Sequence, residues 1–224
     1  GVEERVIQAF AEIPREEFIH PRLREFSYFD FPIPVVYLSP LDYNPFAYGR
    51  SVPKPSYIMR ILTQLDTRPS HSVLQLPTGS GYTAALLSRL TTLVNTHDSN
   101  YGMFKEASQN FGRLGLNNIH WCPGSPLIVE NFLTRFLRGY KFNRILVTAT
   151  SPELPKELLT MLVKDGKMII PIVDDPKSTA DDFRKEPPPL QKLYIAERRS
   201  GTLLFLGYCR FTPLEYGRFS HEHK

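Results

Sequence analysis

The sequence predicts an α/β chain built on a doubly wound, mostly parallel sheet that ends in an antiparallel strand pair. Three observations carry that prediction. From Pro55 onward, short apolar runs of strand length alternate with amphipathic helical stretches, the order that covers a parallel sheet with helices on both faces. A turn bearing Gly79 and Gly81 joins the first of these strands to a helix. The last two strand-like runs, 190–196 and 203–211, are joined by the short polar stretch 198–201, which is the order of a hairpin.

Before the alternation, Val6, Phe10, Ile13 and Phe18 recur at near-helical spacing, and Pro14 ends this first helix. Residues 21–55 are rich in Pro, Tyr and Phe and lack a regular period. Within them Tyr37 to Tyr48 (YLSPLDYNPFAY) reads as an irregular loop or edge element, its aromatics facing a partner or packing over the chain's own sheet.

A helix over 56–65 presents Ile58, Ile61, Leu62 and Leu65 on one face. Then come a strand over 72–76, a helix over 82–90, a strand over 92–96, a helix over 104–114 and a strand over 119–121. A helix over 126–138, a strand over 144–148, a helix over 155–162 and a strand over 167–172 complete the alternation. Residues 173–189 (VDDPKSTADDFRKEPPP) are polar and proline-rich and read as a loop. The expectation is one domain over 1–224, made of a cap region 1–71, a core 72–172, the loop 173–189, and C-terminal strands with a tail over 190–224. Right-handed crossovers put the loops that follow the parallel strands on one rim, where ligands bind.

Composition narrows the class. The 224 residues are 42% hydrophobic and 22% charged, and no apolar run nears the roughly 18 residues of a membrane span, so the chain reads as soluble. Lys and Arg outnumber Asp and Glu by 27 to 23, and the pI is about 9.0, a bias that permits an acidic partner without requiring one. Arg135, Arg138, Lys141 and Arg144 are candidate phosphate contacts, with a solvated helix face as the alternative for the first two. Cys122 and Cys209 have neither metal spacing nor a disulfide pattern, and the six histidines, His20, His221 and His223 among them, form no metal set. Reduced thiols and a first residue Gly1 without Met lead to an intracellular expectation, mitochondrial ahead of cytosolic.

The stretch 72–85 (SVLQLPTGSGYTAA) is the most informative. Small residues in a strand-to-helix turn let a ligand approach the backbone, and the helix N-terminus offers free N–H groups. Gln75, Thr78, Gly79, Ser80, Gly81 and Tyr82 are therefore candidate cofactor-binding residues. About twenty residues further on, Asp98 ends the next strand. There an acidic side chain either accepts from ribose hydroxyls or caps the following helix. A G-x-G turn alone occurs at many such joints.

The chain resembles the protein-L-isoaspartate O-methyltransferase family. The resemblance rests on RVIQAFAEIPREEF (5–18), YFDFPIP (28–34), the glycine-rich stretch 72–85, FNRILVTATSPELP (142–155), KDGKMIIP (164–171) and RFTPL (210–214), which span nearly the whole chain in family order. It implies a Rossmann-like fold of the class I methyltransferase type, S-adenosylmethionine as cofactor, and methyl esterification of isoaspartyl carboxylates in proteins. Such a carboxylate is ionised at neutral pH, so the transfer needs alignment and exclusion of water, not a general base.

The departures from the family pattern fall on site positions. The family's acidic residue and first glycine are here Gln75 and Pro77, which leaves Thr78 to Tyr82 intact. Its Gly-Asp-Gly element near the adenine matches Cys122-Pro123-Gly124, and its Thr-Ile-Ser-Gln-Pro segment, which holds the substrate carboxylate, matches Ser51-Val52-Pro53-Lys54-Pro55. Arg50 and Lys54 supply positive charge nearby, as carboxylate attractants or as solvated surface. The expectation is a catalytically impaired member that serves as a structural or assembly component with protein partners, in a ribonucleoprotein complex among other settings. Its alternatives are an active methyltransferase and a protein that binds the cofactor without turnover.

Overall fold

The computed structural model describes residues 2–35, 51–98, 100–122, 139–175, 178 and 189–211. Helix α1 (Glu4–Glu12) ends before Pro14, and two 3-10 turns follow at Arg15–Phe18 and Pro21–Phe26. A small antiparallel ladder joins β1 (Ile33–Pro34) to β2 (Ser51–Val52), pairing Ile33 with Val52 and Pro34 with Ser51. The second turn and this ladder lie where the sequence offered no period, because elements this short carry none. Helix α2 (Pro55–Leu65) opens on a proline at its first position, whose missing N–H is one no helix would use.

The alternating region contains β3 (Ser72–Leu76), α3 (Tyr82–Leu90), β4 (Leu93–Thr96), α4 (Tyr101–Arg113), β5 (Ile119–Trp121), β6 (Phe142–Val147), α5 (Lys156–Thr160), β7 (Leu162–Val173), β8 (Gln191–Glu197) and β9 (Leu203–Cys209). They form one seven-stranded sheet in the order β5-β4-β3-β6-β7-β8-β9. The strands from β5 to β7 are parallel, whereas β8 runs antiparallel to β7 and β9 to β8. This is the expected α/β sheet with its antiparallel C-terminal pair. The order reverses between β3 and β6, so the crevice beyond their C-terminal ends is the topological switch point of the sheet.

Side chains alternate across the sheet into two cores. Val73, Leu146 and Ile169 pack on one face with residues of α1, α2, α3 and α4. Leu74, Ile145, Val147, Met168 and Ile170 pack on the other with Leu158 and Met161. With both faces covered, the central strands read as near-continuous apolar runs. β7 starts five residues earlier than its apolar run predicts, because Lys164 and Asp165 are exposed while Leu162 still pairs with Phe142.

Arg144 does not face solvent as its place among the candidate phosphate contacts requires. It is buried, not a phosphate contact: its Nε donates to the carbonyls of Leu65 at 2.6 Å and Asp66 at 3.1 Å, and its Nη2 lies 3.4 Å from Asp66 Oδ2. Asp66 has φ 51°, so the guanidinium fastens the left-handed end of α2 to the start of β6. Lys141 donates to the Thr160 carbonyl at 2.6 Å. Arg135, Arg138, the 37–48 loop, the 126–138 helix, His221, His223 and most of 173–189 lie outside the described residues. Cys122 and Cys209 are buried free thiols, and burial pushes each up to about 11. Among the described residues, no helix is long and apolar enough to cross a membrane.

Candidate functional site

The turn between β3 and α3 sits on the rim at the switch point. Its backbone is tied inward by Thr78 N donating to the His97 carbonyl at 2.8 Å and Gly81 N donating to the Thr78 carbonyl at 3.0 Å. Gly79 and Gly81 have φ of 56° and 90°, a region side chains strain to occupy. At Gly81 space is short as well. A Cβ there would lie 2.8 Å from Phe111 Cε1 and 3.0 Å from Ala107 Cβ, so α4 closes directly on the turn.

Asp98, at the end of β4, reaches across to this turn. Its Oδ2 accepts the Gly79 N–H at 2.8 Å, and its Oδ1 accepts the Asn100 N–H at 2.8 Å. Asn100 is the residue that caps α4, its Oδ1 accepting from Met103 N at 3.0 Å. Asp98 therefore ties the turn to the residue that caps α4 and is not itself the cap.

Gln75 is 1% exposed, and its amide is spent on the turn and its neighbours. Nε2 donates to the Pro77 carbonyl at 2.5 Å and to Thr148 Oγ1 at 3.3 Å. Oε1 accepts from Thr96 Oγ1 at 2.9 Å, and that hydroxyl also lies 2.8 Å from Thr78 Oγ1. Every polar atom of the Gln75 side chain thus has a partner within the protein. Pro77, whose peptide to Leu76 is cis, offers no N–H.

The candidate residues gather at one rim through these contacts, with Ser80 Oγ accepting from Tyr82 N at 3.4 Å. Tyr82 reaches the rim by its backbone alone. Its ring is buried against Phe10 and Phe18, with centroids 6.1 and 5.5 Å away. Three rings beside the turn carry no motif and were not legible: His97 stacks on Trp121 at 6.5 Å, and Trp121 on Phe104 at 3.8 Å. Burial lowers the His97 pKa, and its Nδ1 lies 2.9 Å from the Cys122 carbonyl. Pro123 and Gly124, next in that segment, lie outside the described residues.

The 51–55 segment is held from two sides. Asp30 accepts from Ser56 N at 2.8 Å and Ser56 Oγ at 2.7 Å, bonds that lower its carboxyl pKa, and Lys54 Nζ lies 4.0 Å from it. From within, the Arg15 guanidinium donates to the carbonyls of Val52 at 3.4 Å and Pro53 at 2.9 Å. Arg50 lies outside the described residues.

A family model described as protein-L-isoaspartate(D-aspartate) O-methyltransferase (PCMT) matches residues 1–197. The chain belongs to this family. A protein-L-isoaspartate O-methyltransferase of Koribacter versatilis is 32% identical over 214 residues, covering 95% of this chain and 83% of the relative. One of Methanoculleus marisnigri is 30% identical over 221 residues, covering 98% and 87%.

Solved structures carry the same fold. A protein-L-isoaspartate O-methyltransferase matches with TM-score 0.74 and 22% identity, over 97% of this chain and 63% of that one. A Plasmodium falciparum protein assigned to the PCMT activity and solved with S-adenosyl-L-homocysteine matches with TM-score 0.69 and 21% identity, over 95% and 91%. The chain is thus an isoaspartyl-methyltransferase-like protein with a class I methyltransferase fold.

Proposed function

We propose that this PCMT-family protein transfers methyl groups poorly and acts chiefly as a protein component of a larger assembly. The observation that carries the reading is the closed amide of Gln75. In the family that position is acidic. Here a neutral side chain donates to the Pro77 carbonyl and to Thr148 and accepts from Thr96, so it brings no charge to a methionine ammonium and its amide N–H groups are already engaged. Pro77 beside it removes a backbone donor and adds a ring where a glycine would admit the ligand. Pro53 on the acceptor side has no hydroxyl to give a carboxylate. Losses of this kind cost about 1–3 kcal/mol each, several orders of magnitude together if they add.

A second reading, an active S-adenosylmethionine-dependent carboxyl methyltransferase, is favoured by a different observation. Asp98 accepts the Gly79 N–H, and the turn from Thr78 to Tyr82 keeps its glycines in positive φ, an arrangement that supports a cofactor ribose at this rim. The relatives carry the name of that activity, and one solved neighbour holds S-adenosyl-L-homocysteine.

Calorimetric titration with S-adenosylmethionine, followed by an isoaspartyl peptide and labelled methyl donor, separates the readings. The assembly role is tested by recovering the intact protein from its native source and sizing it. Migration as a lone monomer contradicts that part, and RNase sensitivity of any complex reports a ribonucleoprotein.

A further inference from the structure

We infer that Arg15 is the positioning residue that holds the 51–53 backbone in register with the first turn of α3. Its side chain is 1% exposed, and among the described residues no carboxylate lies within ion-pair distance of it. The two terminal nitrogens of the guanidinium donate to backbone instead, while its buried Nε has no hydrogen-bond partner among the described residues. Nη1 donates to the carbonyls of Ser27 at 2.5 Å and Phe29 at 3.3 Å, and Nη2 to those of Phe31 at 3.2 Å, Val52 at 3.4 Å and Pro53 at 2.9 Å. Its Cζ also stands 6.0 Å from the centroid of Tyr82, the first residue of α3. One planar fork therefore meets three parts of the chain: the 27–31 turn, the acceptor-side segment and the cofactor helix.

The chemistry of that arrangement argues for positioning over simple packing. A buried guanidinium is costly, and an apolar side chain would fill the same space more cheaply. What an apolar side chain lacks is a rigid set of diverging donors able to fix two segments at once, the 27–31 turn 12 to 16 residues away in sequence and the 52–53 backbone 37 and 38 residues away. A lysine in its place carries the charge as a single point and cannot span both carbonyl sets. Functionally, the inference rests on the family reading of 51–55 and 78–82 as two sides of one site, and it makes Arg15 the link that carries a change at one side to the other.

The test is amide hydrogen exchange on the full chain, comparing wild type with Arg15→Lys and with Arg15→Gln. Both variants keep a donor, so at least one is expected to fold. Exchange in 27–31 and 51–56 should accelerate about tenfold or more while β6 and β7 stay near wild type, the mark of local opening. In wild type, saturating S-adenosylhomocysteine should add protection at 51–56, and that gain should vanish in Arg15→Lys. Unchanged exchange at 51–56 in the variants overturns the inference. So does a rise spread equally over β6 and β7, which is loss of global stability alone. If wild type fails to bind S-adenosylhomocysteine, the cofactor reading fails on its own, and the ligand-free exchange pattern still decides the role of Arg15.

Discussion

The Asp98 carboxylate accepts the Gly79 N–H at 2.8 Å, so the end of β4 and the turn after β3 are joined by one side chain. The same carboxylate accepts from Asn100 N at the start of α4. Asp98→Ala strands two N–H donors at a mostly buried rim and should destabilise the fold by about 1–3 kcal/mol, measured by urea unfolding. Asp98→Asn keeps an acceptor and should cost less than the alanine variant.

The two turn glycines should differ. Both have positive φ, but only at Gly81 does a Cβ collide, 2.8 Å from Phe111. Gly79→Ala should cost about 1–2 kcal/mol from backbone strain, and Gly81→Ala about 2–4 kcal/mol once overpacking is added. Equal losses in thermal unfolding would contradict the close approach of α4.

Gln75→Glu reinstates the family's acidic residue, yet it removes the amide donor that meets the Pro77 carbonyl at 2.5 Å. A carboxylate facing that carbonyl should lower stability by about 1–3 kcal/mol. Gln75→Glu with Pro77→Gly keeps the residue-77 carbonyl and so should not regain that stability, yet it should raise affinity for S-adenosylmethionine above that of wild type. Calorimetry of the single and double variants reads both effects.

Much of the fold was legible because the sheet is buried on both faces. The apolar runs of β3 and β6 and the helical faces of α2 and α3 state their periods openly, and strand 72–76 and helix 82–90 have the expected bounds. Features made by single contacts carry no period and were not legible. Arg144 looks like a surface cation by composition, and only the left-handed end of α2 at Asp66 explains why it is buried. Tyr82 belongs to the glycine motif by position, but its ring packs on α1 and the Arg15–Phe18 turn, because Phe10 and Phe18 cover it. The amide closure of Gln75 needs Thr96 and Thr148, which are brought to it only by strand pairing.

Acid should weaken the fold before its carboxylates titrate. Burial lowers the pKa of His97, and burial followed by the charge of Arg144 lowers that of His71. Below about pH 6.5 the unfolded chain takes up protons that these folded histidines resist, so stability falls as pH drops through that window. Urea midpoints should therefore decrease from about pH 7.5 to about pH 5.5, and His97→Asn should flatten the slope relative to its own baseline. A midpoint that rises over the same interval contradicts the buried, neutral state of His97.

Calorimetric titration of the wild-type chain with S-adenosylmethionine, followed by a labelled-methyl assay on an isoaspartyl peptide, tests whether methyl transfer is impaired on this fold. Binding far weaker than micromolar, with no methyl ester formed, is the expected result. Micromolar binding with ester formation at rates like those of its enzymatic relatives would contradict it and make Gln75, Pro77 and Pro53 tolerated variations of a working site.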